Sequence, residues 1–212
     1  MKKYFIKYKH AWVFLYMIPY LLWYFGLQQW RSNVVFVDVY TSIDKMIPFV
    51  PVFIWPYIYW YLFVVATVLY LFFVDTSDFY KNVAFLFIGM TICLTIFTVF
   101  PTSYDHRPVS WNADPVSTFF LNSIYAADKC QNVFPSIHVY NSIGCAIAIV
   151  KHEGFRNNKV IKIVAIISAI LISLSTMFIK QHSILDACSA GLLAIIMYIL
   201  VYKIDYSKLI KK

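Results

Sequence analysis

Long apolar stretches separated by short polar punctuation dominate the chain. Runs near the length a helix needs to cross a bilayer recur at Ala11–Leu27, Val50–Val74, Asn82–Phe100, Phe134–Val150, Val160–Ile179 and Ser183–Tyr202. The pattern predicts an all-α, polytopic membrane protein: one domain over 1–212, built as a bundle of six transmembrane helices. The first run follows "MKKYFIKYKH", and its long, aromatic, uncleavable apolar part makes it an anchor rather than a removed signal.

The intervals between the runs are short except for two. Gln28 to Phe49 contains "VVFVDVYTSIDKMIPF", and Pro101 to Val133 contains "PTSYDHRPVSW" and "VSTFFLNSIYAA". In the second, Phe119, Phe120, Ile124 and Tyr125 fall on one side of a short interfacial helix, with Asn122 and Ser123 toward water. Irregular backbone cannot be left bare in lipid, so both segments are expected at the surface or over a cavity among the helices.

Composition agrees with the pattern: of 212 residues 61% are hydrophobic and only 13% charged, too little polar surface for a soluble domain. The net charge of +8 does not signal nucleic acid, because the basic residues are dispersed between spans rather than gathered on one face. It sets orientation instead. With the N-terminus inside, Lys2, Lys3, Lys7, Lys9, Lys81, Lys151, Arg156, Lys159, Lys162, Lys203, Lys208, Lys211 and Lys212 are cytoplasmic. Only Arg31, Lys45, Arg107, Lys129 and Lys180 of the 18 basic residues are outside. Both termini are then cytoplasmic, in a multi-pass protein of the cell membrane. Cys93, Cys145 and Cys188 fall in spans and Cys130 in an outer segment, so no disulfide framework is expected.

Three polar clusters interrupt the apolar pattern, all on the outer side. In "NVFPSIHVYNS", Pro135 suits the first position of the fourth span helix, whose free N–H groups and dipole favour an anion, with Ser136 as a further donor and His138 within one turn. In "STMFIKQHSILD", His182 and Asp186 stand four apart. A shared helix face lets the carboxylate take one ring N–H and leaves the other nitrogen as a nucleophile, and Lys180 supplies a cation for phosphoryl oxygens. In "YDHRP", Arg107 offers a planar fork that fits phosphate, presented by the stiff Pro108.

A lone histidine at a span end is ordinarily a packed or interfacial residue; it is the pair, with an ionisable Asp186 inside a span, that points to function. His182 and Asp186 could also ligate a metal, but no third soft ligand stands at helical spacing, and no metal or cofactor is expected. The aromatic run "WPYIYWY", Trp55 to Tyr61, reads as interfacial belt and packing, and Gly89, Gly144 and Gly191 as points of close helix contact.

In order and in position relative to six spans, the clusters resemble the three motifs of the type 2 phosphatidic acid phosphatase superfamily: lysine, six residues, Arg-Pro; Pro-Ser-Gly-His; and Ser-Arg, five residues, His, three residues, Asp. The spellings "FPSIHV" and "KQHSILD" look more like its divergent branch near inositol phosphorylceramide and sphingomyelin synthases. The resemblance implies that Arg107, Ser136, Lys180 and Ser175 bind phosphate. It also implies that His182 attacks phosphorus, His138 protonates the leaving oxygen and Asp186 orients His182.

Three positions depart from the motifs: Phe100 stands for the lysine, Ile137 for the glycine and Thr176 for the arginine, with Lys180, and His106 or Lys129, as replacement cations. The activity implied is a phosphatase acting at the outer leaflet on a phospholipid or isoprenoid phosphate through a phosphohistidine. The alternatives are a lipid phosphotransferase, and a non-catalytic transporter or scaffold for anionic lipids.

Overall fold

A computed structural model describes residues 8–29 and 34–205; the expected cytoplasmic Lys2, Lys3, Lys7, Lys208, Lys211 and Lys212, and Arg31, lie outside the described residues. The helices are α1 (Met17–Gln29, entered through a 3-10 segment Lys9–Tyr16), α2 (Ile54–Val74), α3 (Thr76–Val99), α4 (Pro115–Ala127), α5 (Ile137–Lys151), α6 (Lys159–Phe178) and α7 (Ile184–Tyr198, extended by a π-helical turn Ile199–Lys203). Among the described residues five helical segments are long and apolar enough to cross a membrane: Lys9–Gln29, Pro51–Val74, Thr76–Val99, Lys159–Phe178 and Ile184–Lys203.

The run expected as the fourth span, Phe134–Val150, forms only the 15-residue α5. Its packing accounts for its composition: α5 runs through the middle of the bundle against α2, α3, α6 and α7, so its apolar residues are matched to protein rather than to lipid. Small residues bring the neighbours close. A Cβ on Gly144 would stand 2.6 Å from the Phe85 ring, and one on Gly89 would stand 2.0 Å from Tyr140. The Phe85 and Tyr140 rings stack at 4.9 Å, and the Tyr140 hydroxyl donates to the Phe85 carbonyl at 2.6 Å. Gly191, by contrast, faces open space and mediates no such contact.

α1 docks on α3 through polar contacts within the apolar seam: Tyr16 Oη lies 2.7 Å from Thr91 Oγ1 and donates to the Phe87 carbonyl, and Trp23 Nε1 donates to Thr98 Oγ1. α3 begins six residues before the apolar run, because Asp75 caps it by accepting the Asp78 N–H at 2.9 Å. At this end of the bundle His152 Nδ1 is 2.8 Å from Asp78 Oδ2, joining the start of α3 to the end of α5.

The two long segments between the apolar runs are knitted together at the opposite end of the bundle. Val37–Asp38 (β1) pairs in parallel with Thr102–Ser103 (β2), Val37 opposite Thr102, and Gln131 bridges Ser103 from the other side. Thr102 Oγ1 also accepts the Val133 and Phe134 N–H groups just before α5. The expected short helix is α4, capped by Asp114, with Asn122 and Ser123 exposed as anticipated. Its buried face centres on Leu121, with Phe120, Ile124 and Tyr125 beside it; Phe119 points outward, 64% exposed.

Candidate active site

Two helix N-termini meet beneath the paired segments that carry β1 and β2. α5 is capped by Ser136, whose hydroxyl oxygen accepts the Val139 N–H, so Pro135 precedes the cap and Ile137 takes the first helical position. Opposite, α6 ends at Phe178 and the chain reverses within a few residues. Lys180 adopts φ 54, and the Gln181 and His182 N–H groups both donate to the Thr176 carbonyl. α7 then starts behind Ser183, which forms a capping box with Asp186. His182 therefore lies just outside the helix, and the carboxylate reaches back to it. The Ser136 N–H donates to the Asp186 carbonyl at 3.2 Å, fixing one terminus against the other.

This junction lines up three ionisable groups. Asp186 Oδ2 accepts the Ser183 N–H at 2.9 Å and stands 3.2 Å from His182 Nδ1; His182 Nε2 stands 3.4 Å from His138 Nδ1. Asp186 is fully buried and its Oδ1 has no partner among the described residues, which makes a proton on His182 Nδ1 the natural counterpart of the charge. With that tautomer, His182 Nε2 carries the lone pair and faces His138.

A cavity of about 480 Å³ opens at the two rings. One end is polar, lined by Asp128, Lys129, Asn132, His138, Gln181 and His182. The walls are apolar and aromatic, formed by Tyr20 and Tyr24 of α1, Trp60 and Val64 of α2, and Met90 and Phe97 of α3. Its rim residues Leu21, Phe25 and Val65 are exposed on the flank of the bundle.

His138 is wedged between Tyr57 and Trp60, with ring centroids at 4.8 and 4.4 Å. These two members of "WPYIYWY" pack on His138, and Tyr61 of the same run, though exposed, also borders the cavity, whereas Trp55 is exposed. Tyr57 Oη donates to Asp128 Oδ2 at 2.8 Å, and Gln181 Nε2 donates to the same carboxylate at 3.4 Å. Arg107 stands behind this network. Its guanidinium donates to the carbonyls of Tyr125 (3.1 Å) and Asp128 (2.6 Å) and to Gln181 Oε1, and lies 4.2 Å from the Tyr125 ring centroid.

The structure thus brings Ser136, His138, His182 and Asp186 together and places Arg107 one residue further back. It does not bring Lys180 or Ser175 to the cavity. Lys180 Nζ donates to the carbonyls of Asp44 (3.0 Å) and Ile47 (2.5 Å), because its left-handed backbone turns the side chain toward the outer loop. Burial there pulls the ammonium pKa below the usual lysine value, against the opposing effect of Asp44. Ser175 is buried and donates to the Ile172 carbonyl of its own helix at 2.6 Å.

Of the other proposed cations, His106 is held by Asp38 at 2.7 Å and stacks on Tyr40, while Lys129 is exposed and borders the cavity. At the departing positions, Phe100 is exposed, Ile137 packs into the core, and the Thr176 hydroxyl donates to the Ser173 carbonyl.

Tyr57, Trp60, Asp128, Asn141 and Gln181 were not singled out by their spacing. For Gln181, adjacency to His182 was the available signal, and for Asn141 the place one turn after His138. Compared with family models, curated proteins and solved structures, the chain matches none.

Proposed function

We propose that this chain is a lipid phosphate phosphatase of the cell membrane, working through a phosphohistidine. The observation that supports it is the line Asp186, His182, His138 ending at a cavity with one polar end and aromatic walls. In this reading His182 Nε2 attacks phosphorus while the ester P–O bond breaks, and His138 gives its proton to the departing alcohol oxygen. His138 then takes a proton from water, whose oxygen attacks the phosphohistidine; the P–N bond breaks and inorganic phosphate leaves.

Asp186 holds the His182 tautomer and balances the charge on its ring. The two ring nitrogens, 3.4 Å apart, separate to admit the phosphoryl group. Lys129 is the cation at the cavity, with Arg107 behind Gln181. The exposed apolar rim suits entry of a lipid from the side.

The topology belongs to the same proposal. α5 counts as the sixth membrane segment, both termini are cytoplasmic, and the cavity serves the outer leaflet.

The test is release of inorganic phosphate from phosphatidic acid and from isoprenyl phosphates by purified protein, with acid quenching to trap phosphohistidine. His182→Ala should lower release by about 10⁴-fold or more and abolish the acid-labile adduct. Undiminished release by that variant sinks the mechanism. Release that requires a lipid hydroxyl acceptor assigns the chain to phosphotransfer instead.

A further inference from the structure

The cavity continues past the histidines, and its deeper part is not purely apolar. Asn141 follows His138 by three residues on the same face of α5, roughly 4.5 Å further along the helix axis. It is 97% buried (3% exposed), borders the cavity, and its Oδ1 has no hydrogen-bond partner among the described residues. Trp60 borders the same cavity with its ring 4.4 Å from that of His138, and its Nε1 is likewise buried without a partner.

A buried amide oxygen and a buried indole N–H left unpaired each cost about 1–3 kcal/mol, so a neighbouring pair of this kind needs an account. Among the described residues neither atom has a partner, and the cavity that both residues border is walled besides by Tyr20, Val64, Met90 and Ile137. One is a fixed donor and the other an amide that accepts or donates whichever way it is turned, so together they match a hydroxyl or an amide group.

We infer that Asn141 and Trp60 determine substrate specificity by hydrogen-bonding a hydroxyl or amide carried close to the phosphate ester. The inference rests on the phosphatase reading of the cavity. His138 fixes where the ester oxygen lies. A hydroxyl on the second carbon of the alcohol is about 3 Å from that oxygen, which brings it within hydrogen-bond reach of a group one turn beyond His138. A lipid phosphate with only hydrocarbon after the ester leaves both protein groups dry and unpaired, and sites built to bind a hydroxyl reject analogues without one. The favoured class is a lipid phosphate with a polar backbone, and saturated alkyl or isoprenyl phosphates are disfavoured.

The test uses 1-oleoyl-glycerol 3-phosphate, which carries a hydroxyl on the second carbon, and oleyl phosphate, which has the same chain length and none. Binding is measured with His182→Ala protein so that turnover does not intervene, and phosphate release with the wild type. The hydroxylated lipid should bind at least about tenfold tighter, and Asn141→Leu in the same background should erase the difference by weakening that lipid alone. Equal binding of the two lipids, or a preference that survives Asn141→Leu, overturns the inference.

Trp60→Phe, which removes the donor and keeps an aromatic ring against His138, is read by the same criterion and serves if Asn141→Leu does not fold. Failure of both lipids to bind removes the cavity as a lipid phosphate site, and the phosphatase reading with it. A preference without phosphate release overturns the phosphatase reading alone and leaves the recognition in place.

Discussion

Among the described residues the bundle has two buried histidines paired with carboxylates, one at each end, and by pairing alone that of His152 is the better made. His152 Nδ1 lies 2.8 Å from Asp78 Oδ2, against 3.2 Å for His182 and Asp186. The surroundings separate them. Around His152, Tyr70 and Phe155 pack edge-on at 5.6 and 5.2 Å, and a Cβ on Gly154 would stand 2.5 Å from Nε2, so the second nitrogen meets close-packed protein.

Asp75 lies near enough for a three-ligand group with Asp78 and His152. However, Asp75 is engaged in capping α3, and the Lys81 ammonium already stands 3.5 Å from Asp78 Oδ1. At the opposite end of the bundle the second nitrogen of His182 faces another histidine and a cavity. A histidine–aspartate pair is a good joint between helices; chemistry requires that its far side be open.

The contrast can be broken at either end. The largest effect is expected at Asp186→Asn, which keeps the shape but removes the charge that supports His182: phosphate release should fall by about 10²–10⁴-fold. The weakened capping box should cost about 1 kcal/mol of stability as well. A loss of activity no greater than twofold, with the melting temperature lowered, would make Asp186 a cap and nothing more.

His152→Ala should show the reverse, with turnover within about twofold of wild type but stability lower by about 1–3 kcal/mol, seen as a lower melting temperature. A modest effect on activity is expected from Lys180→Met, a loss of less than about tenfold, since the ammonium holds two loop carbonyls. Hydrogen exchange at Thr41 and Asp44 should speed up in that variant. A loss of a hundredfold would return Lys180 to the phosphate.

How far the sequence could be read follows the range of the interactions involved. The helices, α4 and the His182–Asp186 spacing are local patterns, and they were visible. The same "HSILD" also spells a Ser-x-x-Asp capping box, so one carboxylate serves as both cap and partner, and spacing cannot divide the two roles.

Lys180 and Arg107 were read as free cations because their partners are carbonyls 133 to 136 and 18 to 21 positions away, and a carbonyl leaves no signature in side-chain identity. Tyr57 and Trp60 were hidden by their neighbours: in a segment where nearly every residue is aromatic, composition cannot say which two rings turn inward. The paired strands β1 and β2 span two residues each and depend on register across some 65 positions, beyond any local pattern.

The length of α5 also bears on where in a bilayer the relay operates. Fifteen residues rise about 22 Å, roughly 8 Å less than a typical hydrocarbon core. On the proposed topology, with Lys151 level with the other inner helix ends, the first turn and His138 sit well below the outer boundary of the acyl chains. A headgroup must sink to meet the histidines, and surrounding lipids must thin or tilt to follow it. Membrane thickness then acts on the protein directly: long-chain, sterol-rich surroundings deepen the recess and thin ones make it shallow, so hydrophobic mismatch becomes a control on access that requires no regulatory ligand.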